Sequence, residues 1–164
     1  MSTLPYREII ELRSVGLSFE KVAFLCGCST TKASAVSRRA AELGLGDSVI
    51  FAGVRSNMQS FYDAMDAFML PSLFEGLPVV LVEAQTAGLP CFVSDTVDAG
   101  AAFTDRVKFL PLNDVSAWTN TIAAASFRRD PQAREKAVKA GYDIHTSAQV
   151  LQQFYLRRYA EVTK

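Results

Sequence analysis

Pro71-Ser72-Leu73-Phe74-Glu75-Gly76-Leu77-Pro78-Val79-Val80-Leu81-Val82-Glu83 sets two carboxylates eight positions apart around a Gly-Leu-Pro turn. The apolar run Ala67-Phe68-Met69-Leu70 precedes it directly. That order reads as a strand, a tight turn and a helix start, with one acid in the loop and one inside the helix. The first N–H groups of a helix have no partner within it, so a helix start facing a cleft is a ready anion site. Pro78 suits the first helical position, where a missing N–H costs nothing. At about 1.5 Å of rise per residue, Glu83 lies roughly 7–8 Å along the axis from Pro78. Glu75 and Glu83 are thereby placed to bracket an extended ligand whose phosphates meet the turn.

Working outward, strands and helices alternate from Gly46 onward. Strands are expected at Val49–Phe51, Ala67–Leu70, Cys91–Ser94 and Val107–Leu110. Helices are expected at Met58–Met65, Pro78–Ala87, Val115–Ala125, Pro131–Ala140 and Ser147–Tyr159. Short β-rich runs between amphipathic helices predict a parallel sheet with helices on its faces. Gly88-Leu89-Pro90 stops the helix carrying Glu83, with Gly past its end and Pro soon after.

The first 45 residues read differently, as three helices. Pro5 to Arg13 carries Ile9, Ile10 and Leu12, and Ser18 caps a second helix containing Val22 to Leu25. Gly27-Cys28-Ser29 makes a turn before a third helix running to about Leu43. The spacing of Ala23, Gly27, Ala33 and Val36 is that of a helix-turn-helix. Two units are expected: residues 1–45, a three-helix helix-turn-helix-like segment, and residues 46–164, an α/β domain.

Composition bounds the function classes. The chain of 164 residues is 49% hydrophobic and 21% charged, a soluble globular composition. Seventeen basic residues balance seventeen acidic ones, which argues against a chain-wide nucleic-acid grip. Cys26, Cys28 and Cys91, with the single His145, fall short of a metal site and read as buried thiols in a reducing compartment. No apolar stretch follows a basic start and no run approaches ~18 apolar residues, so a cytoplasmic protein without a transmembrane segment is expected. Trp118, Phe127, Phe154 and Tyr155 read as packing residues. The cluster Arg128, Arg129, Arg134, Lys136 and Lys139, broken by Asp130 and Glu135, reads as a solvated helix face.

The stretch Pro71–Glu83 resembles the Glu-x7-Glu signature of retaining, nucleotide-sugar-dependent glycosyltransferases of the two-domain GT-B architecture. Its surroundings agree: Val49-Ile50-Phe51-Ala52-Gly53, Tyr62-Asp63-Ala64-Met65-Asp66-Ala67-Phe68, and Glu83-Ala84-Gln85-Thr86-Ala87-Gly88-Leu89-Pro90-Cys91. The similarity runs from about Leu43 to the C-terminus. Ala140-Gly141-Tyr142-Asp143-Ile144 and Phe154-Tyr155 resemble exopolysaccharide-type members.

This resemblance implies a donor-binding half with a partial Rossmann-like parallel sheet of about four strands. Glu75 is then the catalytic-site carboxylate that contacts hydroxyls of the transferred sugar, and Glu83 accepts from the two ribose hydroxyls. Both roles suit an acceptor-only group facing diols. The N–H groups of Gly76, Leu77 and Val79 would meet the sugar and diphosphate, with Ser72 adding a hydroxyl. Gly53 and Arg55 would stand near the base. The donor is a nucleoside-diphosphate sugar, with no other cofactor and no metal. The basic residues that stabilise the leaving diphosphate in the resembled family fall upstream of Val49, as does the acceptor-binding half. A separate acceptor-binding chain or self-association is therefore expected. Of the sheet order three-two-one-four-five-six, counterparts of strands three to six are expected, with Val49–Phe51 moved beside Ala67–Leu70.

The segment 1–45 resembles the helix-turn-helix of insertion-sequence transposases, in Tyr6-Arg7-Glu8-Ile9, Leu12-Arg13-Ser14-Val15-Gly16-Leu17-Ser18 and Cys26-Gly27-Cys28-Ser29. Thr30, Thr31, Lys32, Ser34 and Arg38 would then face a major groove and Arg39 a phosphate. That likeness implies weak DNA binding, and an alternative function in which the α/β domain is a sensor or assembly unit, or in which the fusion is a relic.

Overall fold

The computed structural model describes residues 38–50 and 55–162. The first two expected helices and the helix-turn-helix turn lie outside the described residues. Helical residues 38–42 end in a turn at Gly44, whose φ of 70° is left-handed. There the Leu45 N–H reaches the Ala40 carbonyl and the Gly44 N–H reaches Ala41, close to the expected end at Leu43.

Beyond it run α1 (Met58–Ala64), β1 (Phe68–Leu70), α2 (Val79–Thr86), β2 (Cys91–Ser94), β3 (Val107–Leu110), α3 (Val115–Ala123), α4 (Ala133–Lys139) and α5 (Ile144–Val162). The strands form a parallel sheet in the order β1-β2-β3, with Phe68 beside Cys91 and Cys91 beside Val107. The fold is the expected α/β class with flanking helices. About four strands were expected, and the described residues carry three. Val49 and Ile50 belong to no strand, Ile50 is 70% exposed, and Phe51 lies outside the described residues. Among the described residues nothing pairs with the free edge of β1.

The period-2 alternation of a strand splits the core in two. Phe68, Leu70, Cys91 and Val93 pack with Leu81, Ala84 and Leu89 beneath α2, and with Tyr62 and Met65 around α1. Phe92 and Leu110 pack on the other face with Trp118 and Ile122 of α3. All four residues of β2 are buried, as a central strand covered on both faces must be. Burial also pushes the Cys91 thiol well above its ordinary value, as the buried-thiol reading expects.

Two polar devices fasten helices to this core. Gln85 is 0% exposed. Its amide nitrogen donates to the Ala101 carbonyl at 2.9 Å, and its amide oxygen accepts the N–H groups of Phe103 (2.9 Å) and Thr104 (3.1 Å). It thus stitches α2 to the segment that follows β2. Arg129 is the second; it is exposed, as the solvated reading expects, but it lies on no helix face. Its guanidinium donates to the carbonyls of Tyr62, Asp63 and Met65 at the end of α1, and of Ala87 at the end of α2, at 2.7–2.9 Å. Carbonyls at helix C-termini lack helical partners and carry partial negative charge, so one planar cation serves two helix ends.

The stop after α2 is as the sequence predicts, and for two reasons. Gly88 has φ 80°, with the Leu89 N–H on Ala84 and the Gly88 N–H on Gln85. A Cβ there would stand 2.8 Å from the Asp130 carbonyl oxygen. Trp118 packs as expected and donates from its indole N–H to the Pro111 carbonyl at 2.9 Å. Phe154 and Tyr155 do not: no residue of α5 is buried by the described residues. No described helix is long and apolar enough to cross a membrane.

Candidate functional site

Parallel strands all end on one side, and in such sheets the loops there build the crevice. The loops after β1 and β2 do this here. Phe74, Glu75 and Gly76 follow β1, Asp95 to Ala99 follow β2, and with Phe109 of β3 they line an open cleft of about 710 Å³.

A hydroxyl cluster at the mouth ties the two loops together. The Ser72 carbonyl accepts from the Ser94 hydroxyl and, at 2.7 Å, from the Thr96 hydroxyl. The Ser72 hydroxyl in turn donates to Glu75 Oε1 at 2.6 Å. Ser72 was expected to offer its hydroxyl to a ligand; the structure aims it at the carboxylate beside it. Ser94 and Thr96 were not foreseen, because their role depends on β1 and β2 being neighbours, which no local motif announces.

The loop then runs into α2. Pro78 occupies the N-cap with φ −74° and ψ 91°, one position before the helix rather than at its first turn as expected. No side chain caps this end. The Leu81 N–H is the first in the helix to find a backbone partner, the Pro78 carbonyl at 2.9 Å. Among the described residues no hydrogen bond occupies the N–H of Gly76, Leu77, Val79 or Val80. Gly76 is exposed and a Cβ on it would meet nothing within 4 Å, so its backbone is open to close approach. Phe74 is 84% exposed, and Leu73, Leu77 and Val79 are exposed with it. The turn presents amides framed by apolar side chains.

Glu83 follows one turn later, on the exposed side of α2, while Leu81, Val82, Ala84 and Gln85 are buried. Its Oε2 accepts from the Tyr62 hydroxyl at 2.8 Å. Burial first, then this bond and the carboxylate's charge, push the Tyr62 phenol well above its ordinary value. Tyr62 was quoted in the motif without a role. Glu75 lines the cleft and Glu83 does not, so the two acids occupy separate stations along the turn.

Of the other expected residues, Arg55 is exposed and its guanidinium lies 6.0 Å from the centre of the Phe61 ring. Gly53 and the groove-facing set Thr30, Thr31, Lys32 and Ser34 lie outside the described residues. Arg38 is exposed on the helical residues 38–42.

Comparison with known proteins shows the family. The model of the family described as "Glycosyl transferases group 1" matches residues 11–126. That span begins inside the segment read as helix-turn-helix-like. The glycosyltransferase EpsF of Bacillus subtilis is 34% identical over 155 residues, covering 88% of this chain and 38% of its own length. An Escherichia coli enzyme named UDP-Gal:alpha-D-GlcNAc-diphosphoundecaprenol alpha-1,3-galactosyltransferase is 31% identical over 83 residues, covering 49% of this chain and 21% of its own. The chain thus spans well under half of either relative. Sucrose-phosphate synthase from Thermosynechococcus elongatus superposes with a TM-score of 0.70 at 19% identity, over 96% of this chain and 43% of that one, and so shares the fold. The chain belongs to the group 1 glycosyl transferases.

Proposed function

We propose that this chain is a donor-binding unit that holds a nucleoside-diphosphate sugar for transfer with retention into a polysaccharide, in the cytoplasm. The diphosphate would meet the open amides at the start of α2. The transferred sugar would enter the cleft beside Glu75, and the ribose diol would donate to Glu83. Each match is chemical: N–H groups at a helix start favour phosphate, and acceptor-only carboxylates favour hydroxyls.

The observation that carries this reading is the turn itself. Among the described residues no hydrogen bond occupies the N–H groups of Gly76, Leu77, Val79 and Val80, and they stand between a carboxylate on the cleft and an exposed carboxylate one turn into the helix. Any helix start leaves N–H groups without helical partners; what supports the reading is that acids stand on both sides of this one. Preorganised N–H groups also stabilise the charge that grows on a leaving diphosphate. The acceptor would have to be held beside this site, because transfer needs both substrates oriented together.

Thermal stabilisation by uridine and guanosine diphosphates and their hexose conjugates tests this reading. A rise in Tm that Glu83→Ala removes supports it. No rise with any of them, under conditions where the chain is folded, overturns it.

A further inference from the structure

We infer that Tyr62 is a positioning residue for the nucleotide, orienting Glu83 toward the ribose hydroxyls from beneath. This rests on the donor-site reading above and adds to it a residue that never touches the ligand.

The geometry is specific. Tyr62 is 2% exposed, and its ring packs at 59° against Phe68 of β1 with centroids 6.2 Å apart. The ring is therefore fixed in the core between α1 and the sheet, and only its hydroxyl reaches outward. That hydroxyl donates to Glu83 Oε2 at 2.8 Å, whereas the other nearby acceptor, the Val80 carbonyl, is 3.5 Å away. The backbone is fixed as well, since the Tyr62 carbonyl accepts from Arg129 at 2.7 Å. A continuous set of contacts thus runs from Arg129 through Tyr62 to Glu83.

The consequence concerns an exposed carboxylate. An unanchored glutamate on a helix surface samples several rotamers, and binding must restrict them. Anchoring Oε2 removes that cost in advance. A carboxylate offers about four acceptor sites, so Oε1 and the second lone pair of Oε2 remain for a vicinal diol. Among the described residues Glu83 Oε1 has no hydrogen-bond partner. The raised phenol value keeps Tyr62 a donor throughout the neutral range.

Titration calorimetry of the full chain with uridine and guanosine diphosphates and their 2′-deoxy counterparts, on wild type, Tyr62→Phe and Glu83→Gln, tests this. For whichever base binds, Tyr62→Phe should weaken the ribonucleotide about 5- to 20-fold, or about 1–2 kcal/mol at about 1.4 kcal/mol per tenfold. The 2′-deoxynucleotide should change less than about 2-fold, because it has already lost the diol. A variant that weakens both nucleotides equally, or neither, reduces Tyr62 to a core residue and overturns the proposal while leaving the donor site standing. Absence of binding by wild type overturns the donor reading and this proposal together. Glu83→Gln is the reference for full loss of discrimination. Should Tyr62→Phe fold poorly, side-chain coupling constants of Glu83 in the free wild-type protein carry the test: one dominant rotamer supports the anchor, and averaged rotamers overturn it.

Discussion

The Ser72 hydroxyl and Glu75 Oε1 are 2.6 Å apart, and the Ser72 carbonyl is itself held by hydroxyls at the end of β2 and just beyond it. The loop acid is thus fixed to the sheet rather than carried on a free loop. Ser72→Ala removes the link to Glu75 while leaving the carbonyl contacts. The variant should remain within about 1 kcal/mol of wild-type stability, as one lost partly buried hydrogen bond implies. Affinity for a sugar diphosphonucleotide should fall several-fold, with affinity for the bare diphosphonucleotide unchanged. Paired calorimetric titrations measure the difference; equal losses for both ligands would place Ser72 outside the sugar site.

Gln85 holds the buried Thr104 N–H, the partly buried Phe103 N–H and the buried Ala101 carbonyl. Gln85→Met keeps the volume and abandons all three. The expected destabilisation is about 2–6 kcal/mol, since the two fully buried groups left unpaired cost about 1–3 kcal/mol each. Urea unfolding at an unchanged m-value checks it. A loss below about 1 kcal/mol would mean the segment finds other partners.

Arg129 serves four carbonyls through one guanidinium. Arg129→Lys should rescue little of the loss in Arg129→Ala, because one ammonium cannot span both helix ends. Both variants are expected to lose about 1–3 kcal/mol, and to weaken nucleotide binding indirectly through the main chain of Tyr62. Full stability in Arg129→Lys would show that charge alone suffices.

Lys136 reaches Asp130 at 2.7 Å and Asp105 at 3.2 Å, and these hydrogen bonds hold both carboxyls below their ordinary range. The folded state therefore binds their protons more weakly than the unfolded chain, whose aspartates titrate near about 3.9. The resulting stability is complete above that value and is lost as pH falls through the depressed folded values. Lys136 is raised by the same contacts, so its share persists below the ordinary lysine value and disappears as pH rises past the raised one. Tm should fall more steeply in wild type than in Lys136→Met as pH drops below about 4, the two curves converging in acid. Parallel slopes would mean the ion pairs contribute nothing.

The sequence made the strand-turn-helix legible because its signals are local. An apolar run, a Gly-Leu-Pro turn and a Gly88 stop each act within a few residues, and β2 and β3 fall where expected. The pairings that complete the site were hidden. Tyr62 to Glu83 spans twenty-one positions and Arg129 to Met65 spans sixty-four. Only the packing of α1, α2 and the segment before α4 around one core brings them together, and no periodicity encodes it. The carbonyl partners of the exposed Arg129 were hidden for the same reason, since a basic run next to acids announces no distant acceptor. Pro78 slipped by one position because a fixed φ suits the N-cap and the first turn alike.

The central claim is that the amides opening α2 receive the diphosphate. Nitrogen–proton correlation spectra of labelled protein, titrated with uridine or guanosine diphosphate, test it at the atoms concerned. The account predicts saturable shifts at the N–H of Gly76, Leu77, Val79 and Val80, with Ala137 of α4 unmoved as the internal control. Saturable binding that leaves those four resonances in place would contradict it.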